Sequence, residues 1–126
     1  MNSACNFFVN SAFNANADIT WSFSYALTGS LSSSGGFCTF LFENDSLSGQ
    51  GGLLESLGYG RSTTLSSISA VQYNIIGIGF DSTGLFAMSG AIFNSGLSER
   101  HPNSLTIRTG TDFTYLTSIS LSSLNI

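Results

Sequence analysis

Apolar residues in this chain recur at every second position and nowhere sustain the i, i+3, i+4, i+7 spacing of an amphipathic helix. Ile19, Trp21, Phe23, Tyr25 and Leu27 alternate with Thr20, Ser22, Ser24, Ala26 and Thr28. That alternation is the pattern of a half-buried strand with a wet outer face. The helix-favouring Lys, Glu, Gln and Arg are scarce. Both observations exclude a helical architecture and point to an all-β chain.

Further strands follow. Phe37 to Phe42 is apolar on both parities, with Phe37 and Leu41 on one face and Cys38, Phe40 and Phe42 on the other, as in a strand covered on both sides. Gly29 to Gly36 and Asn44 to Gly52 read as loops, and Leu53-Leu54 and Leu57-Gly-Tyr59 return the chain to the core. Val71 to Phe80 is the next strand. Asp81-Ser-Thr-Gly84 is a turn, with Gly84 free to take positive φ, and is expected to close a hairpin onto Leu85-Phe-Ala-Met88. Leu105 and Ile107 alternate with Ser104, Thr106 and Arg108, and a looser alternation runs through Phe113, Tyr115, Ile119 and Leu121. The chain ends at Leu124-Asn-Ile126 without a turn signal, as if within a strand. Several short strands, Gly/Ser/Asn turns and no helix predict an antiparallel β-sandwich or barrel over one domain, residues 1–126.

Composition narrows the function classes. Only 8% of the 126 residues are charged, against roughly 25% in ordinary soluble domains. Lysine is absent, Arg61, Arg100 and Arg108 are scattered, and the net charge is −4, so no basic stripe exists to neutralise phosphates and no nucleic-acid partner is expected. No apolar run approaches the roughly 18 residues of a membrane span. The N-terminus lacks the basic and apolar regions of a secretory signal. Cys5 and Cys38 read first as buried free thiols; a disulfide between them requires neighbouring strands.

Three motifs in order resemble the L-type (legume-like) lectins. Ala17-Asp-Ile-Thr-Trp-Ser-Phe-Ser-Tyr25 is similar to the strand before that family's first sugar loop. Gly35-Gly-Phe-Cys-Thr-Phe-Leu-Phe42, with Leu57-Gly-Tyr59 after a Gly-rich loop, resembles "A-D-G-x-A-F-F … G-G-x-L-G". Ile76-Gly-Ile-Gly-Phe-Asp-Ser82 resembles the metal strand "V-A-V-E-F-D-T", with Asn103-Ser-Leu-Thr-Ile-Arg108 in the place of "N-H-I-G-I-D". The resemblance covers about residues 17 to 108. It implies a jelly-roll sandwich of the concanavalin A type, incomplete in this chain or completed by a partner chain, and it implies carbohydrate binding.

The family's chemistry transfers poorly. Its sugar-binding Asp falls on Gly35, a metal-ligand Glu on Gly79 and a metal-ligand His on Ser104, leaving Asp81 as the surviving metal candidate. One carboxylate does not hold Ca²⁺, which takes six to eight oxygens, so no cofactor is expected.

Each remaining candidate has two readings. Asp81 is a residual ligand or the cap of its own turn. Gly77 and Gly79 bare one strand face, as a groove or for close packing under bulky neighbours such as Phe40. Asp45, beside Glu43 and Asn44, accepts sugar hydroxyls or lies in a solvated turn. Tyr59 and Phe93 offer a stacking platform to a sugar ring or belong to the core. His101 stands without clustered ligands and reads as a loop residue.

No pair of glycosidase carboxylates, G-x-S-x-G elbow or phosphate-cradling loop is present. The expected protein is therefore a non-catalytic interaction module. Its charge-poor, Ser/Gly/Asn-rich composition suits packing against copies of itself or neighbours in a virion-surface or other extracellular assembly, as in phage decoration or fibre components. The alternative is a carbohydrate-binding module with a site rebuilt around Asp45, Tyr59, Asp81 and Phe93.

Overall fold

A computed structural model describes residues 12–14, 16–25, 35–43, 56–60, 74–90, 93–110 and 112–121. Four strands, β1 (Gly36–Phe42), β2 (Asn74–Asp81), β3 (Ser104–Thr109) and β4 (Thr114–Ser120), form one antiparallel sheet in chain order. No α-helix occurs among the described residues. The class is all-β, as the periodicity predicts, and the described architecture is this single sheet.

Register sorts the residues into two faces. Phe40 pairs with Gly77, Cys38 with Gly79, Gly77 with Arg108, Gly79 with Thr106, and Thr106 with Ser118. These residues share the inner face, over which Tyr59, Phe86, Phe93 and Phe113 form the buried core, with Cys38, Phe40 and Leu57 packed against it. The opposite, outer face carries Phe37, Thr39 and Leu41 of β1, Ile76, Ile78 and Phe80 of β2, Leu105 and Ile107 of β3, and Thr117 and Ile119 of β4.

This arrangement inverts the usual order. Antiparallel sheets with one wet face commonly turn apolar residues in and polar residues out. Here Asp81, Ser104, Thr106 and Arg108 are buried, while Leu105 and Ile107 are half-buried and Ile119 is 44% exposed. The inner face is fillable because β2 has no side chains at Gly77 and Gly79, where the Tyr59 and Phe86 rings sit against the backbone.

Two expected elements differ. Residues 19–25 keep their alternation but join no ladder among the described residues; Phe23 and Tyr25 instead lay their rings on the outer face. The remainder of that expected strand, 26–28, lies outside the described residues. The hairpin expected from Asp81–Gly84 onto residues 85–88 does not form. β2 already has β1 and β3 on its two sides, so residues 85–88 turn over the inner face, and only Met88 makes an isolated bridge, to Leu97. Gly84 does adopt positive φ, +79°, and a Cβ there would lie 2.4 Å from the His101 backbone carbonyl carbon.

Candidate interaction surface

The sequence-predicted positions fall mostly inside the fold. At the end of β2, Asp81 Oδ1 accepts from the Thr83 amide (2.8 Å) and hydroxyl (2.7 Å), and Oδ2 accepts from the Phe86 amide (2.7 Å). Both oxygens of this buried carboxylate are engaged by its own turn, the capping geometry of an Asx turn. Gly79 and Ser104, where the lectin pattern would have ligands, supply no carboxylate or imidazole. Among the described residues no three His, Cys, Asp or Glu side chains stand together as metal ligands. The residues present do not fit a legume-type Ca²⁺ site.

Tyr59 is fully buried and Phe93 is 2% exposed. Tyr59 meets Phe113 edge-on at 5.1 Å, and Phe93 meets Phe86 edge-on at 5.4 Å. Rings enclosed in this way present no face to a sugar, so the platform expected of them is core instead. The Gly77/Gly79 groove is filled by the same core: a Cβ at Gly77 would stand 2.6 Å from Tyr59 Cζ, and one at Gly79 would stand 2.4 Å from Phe86 Cδ1. Asp45 and Cys5 lie outside the described residues. Cys38 is a free thiol whose pKa is pushed up by burial.

Arg108 organises the inner side, a role the sequence reading does not assign to it. It is fully buried. Its Nε donates to Phe86 O (2.8 Å), Nη1 to Ser95 O (2.8 Å) and Phe113 O (2.8 Å), and Nη2 to Met88 O (2.9 Å). Burial pushes its pKa down to about 10, with the Tyr59 and Tyr115 phenols acting the other way, and it remains a cation at neutral pH. A planar fork with five N–H groups can tie several carbonyls at once. It pins the backbone at Phe86, Met88 and Ser95 and the Phe113 turn, where φ is +57° at a non-glycine residue, to β3. The available signal was parity: Arg108 falls in step with Ser104 and Thr106, opposite Leu105 and Ile107.

A hydroxyl chain extends from this face. Thr106 Oγ1 and Ser118 Oγ lie 2.8 Å apart, and His101 Nδ1 lies 2.7 Å from Ser118 Oγ. No carboxylate within hydrogen-bond distance of His101 completes a nucleophilic triad among the described residues.

The outer face is where chemistry remains available. Phe37 and Phe80, paired across β1 and β2, stack at 4.8 Å and 13°. Phe23 packs edge-on against both (5.6 and 5.7 Å), and Tyr25 adds contacts at 4.9 and 5.3 Å. The segment supplying them stays open: Ile19 is 45% exposed, Trp21 42%, Phe23 47% and Tyr25 42%. Geometries of this kind are favourable for aromatic pairs, but Phe23 and Tyr25 each stay more than two-fifths exposed as residues. The sequence reading took this alternation for a half-buried strand with a wet outer face, whereas residues 19–25 join no ladder among the described residues.

No protein-family model, curated protein or solved structure matches the chain. Among the described residues, no helix is long and apolar enough to cross a membrane.

Proposed function

We propose that this protein is a non-catalytic interaction module that works by covering its outer sheet face with protein. One observation carries the reading: β2, β3 and β4 turn Ile76, Ile78, Phe80, Leu105, Ile107 and Ile119 outward and place Asp81, Ser104, Thr106 and Arg108 inward. A contiguous apolar face of this kind marks an interaction site in a folded chain. Covering it builds the two-layer sandwich that the sequence suggests. The Lys-free, charge-poor composition fits a structural component packed among neighbours on a virion surface or a similar extracellular assembly.

The test compares stability with association. Ile119→Asp is expected to leave the unfolding free energy within about 0.5 kcal/mol of the parent, as for a surface position, and to abolish association. A loss of several kcal/mol in the dilute chain would mean that this face is closed by the chain itself, and the reading would fail.

A second reading, glycan binding, is favoured by the exposed rings of Trp21, Phe23 and Tyr25, which alternate with the hydroxyls of Ser22 and Ser24. It moves the platform from Tyr59 and Phe93 to this segment. Selective signals on a glycan array, unaffected by EDTA and lost in Trp21→Ala at unchanged melting temperature, would support it. A blank array from folded protein would remove it.

A further inference from the structure

We infer that the partner on the outer face is a second copy of this chain, packed sheet against sheet across a two-fold axis. The inference rests on the interaction-module reading and names its partner. The first support is charge. No residue assigned to the outer face is charged, and neither is any residue of 19–25. A strongly charged partner finds nothing there to pair with. A second copy brings an equally neutral apolar surface, so the described residues of a two-fold contact place no like charges together.

The second support is area. Four strands about 4.8 Å apart and about seven residues long give a face of roughly 450 Å² in plan. Three aromatic side chains of roughly 150–250 Å² each, exposed by 42–47%, add on the order of 200–300 Å² of accessible ring surface from Trp21, Phe23 and Tyr25. Because the Phe23 and Tyr25 rings overlie part of that face and Ile119 belongs to it, the non-overlapping surface, with Ile19, is on the order of 600 Å² per partner, at the low end of specific interfaces. The Phe23 and Tyr25 rings cover Phe80; beside them, Leu105 and Ile107 are the sheet residues placed to interdigitate with their symmetry mates, directly facing sheets stacking about 10 Å apart.

Trp21, the chain's single tryptophan, lies in the segment to be covered and reports on it directly. The experiment is sedimentation velocity of the full chain from about 0.1 to 200 µM, with Trp21 emission and acrylamide quenching followed over the same range. The expected result is a doubling of mass with concentration, a blue shift and reduced quenching in step with it. In Ile119→Glu, a carboxylate is carried into an apolar contact that offers it no partner, and the dissociation constant should weaken by at least ~100-fold with the circular dichroism spectrum retained. Phe23→Ser, which removes ring area without adding charge, should weaken it less.

A dimer whose Trp21 stays fully quenchable, and which both variants leave intact, uses another surface and overturns the inference. A monomer at 200 µM with quenchable Trp21 also overturns it, while leaving an interaction module whose partner is a different protein. A monomer whose Trp21 is already shielded at 0.1 µM overturns both the inference and the module reading.

Discussion

The guanidinium of Arg108 lies 3.8 Å from the centre of the Phe93 ring, on the dry side of the sheet. A cation over an aromatic face is attracted by the ring quadrupole, and more strongly where water is excluded. With four carbonyls accepting from the same group, the arginine ties the aromatic core segments to the inner face.

Removing that group should be costly. Arg108→Met leaves the carbonyls of Phe86, Met88, Ser95 and Phe113 without their donor, and each unsatisfied buried acceptor costs about 1–3 kcal/mol. After relaxation, a net loss of at least ~3 kcal/mol is expected by urea unfolding. Arg108→Lys should recover only part of it, because an ammonium is a point donor without the planar fork. A parental urea midpoint in Arg108→Lys would show that the fork geometry is not what holds the inner side.

Gly79→Ala tests how tightly the core rings lie on β2. In an ordinary strand interior, alanine is preferred to glycine by roughly 0.5–1 kcal/mol. Here the new Cβ would meet Phe86 Cδ1 at 2.4 Å, and the sign reverses to a loss of about 1–3 kcal/mol. Phe86→Leu should be less harmful in the Gly79→Ala background than alone, since the smaller side chain makes room. Strict additivity in the double mutant, measured by thermal unfolding, would mean that the two positions do not share this contact.

Asp81→Ala removes the acceptor of three hydrogen bonds at once, two of them from backbone amides. Charge-assisted bonds of this type are worth more than neutral ones, and a loss of about 2–4 kcal/mol is expected. Because the carboxylate serves the turn, neither millimolar CaCl₂ nor EDTA should move the melting temperature of the parent chain. A calcium-dependent rise that disappears in Asp81→Asn would restore the metal site that the geometry argues against.

Strand positions were legible in this sequence; the direction each face points was not. The expected segments Phe37–Phe42, Val71–Phe80, 104–108 and 113–121 each overlap an observed strand, the first three missing Gly36, Asp81 and Thr109 at one end, with 71–73 outside the described residues. Period two fixes which residues share a face but not which face is inward. In β3 the natural choice would turn Leu105 and Ile107 inward. Arg108, with a full set of carbonyls waiting, and Gly77 and Gly79, able to admit rings, settle it the other way. Tyr59 and Phe93 stayed open between platform and core for the same reason, since an aromatic beside a glycine loop reads alike in a core and on a surface. The turn at Asp81–Gly84 was legible because its chemistry is local, whereas the hairpin expected from it depended on β2 having a free side.

Cys38 and Tyr59 make the core sensitive to alkali. Burial pushes both pKa values up, so each stays protonated in the folded chain at a pH where its unfolded counterpart ionises. The folded state then binds more protons than the unfolded state, and stability falls as pH rises. The contribution from Cys38 is fully present below its ordinary value of 9.0 and is lost above it, and that from Tyr59 follows above 10.0. Arg108, pushed down to about 10, acts with the opposite sign to Tyr59 over the same range, so across the window from pH 8 to 10 the net fall is chiefly the thiol's. Over that window the unfolding free energy should drop by about 1 kcal/mol. Cys38→Ala should flatten the profile, although it begins from a lower stability because a half-buried group packed against the core has been removed. The native thiol should react with a disulfide reagent only as fast as the chain opens. Rapid labelling at pH 8, or an unchanged slope in Cys38→Ala, would place that thiol outside the shielded interior.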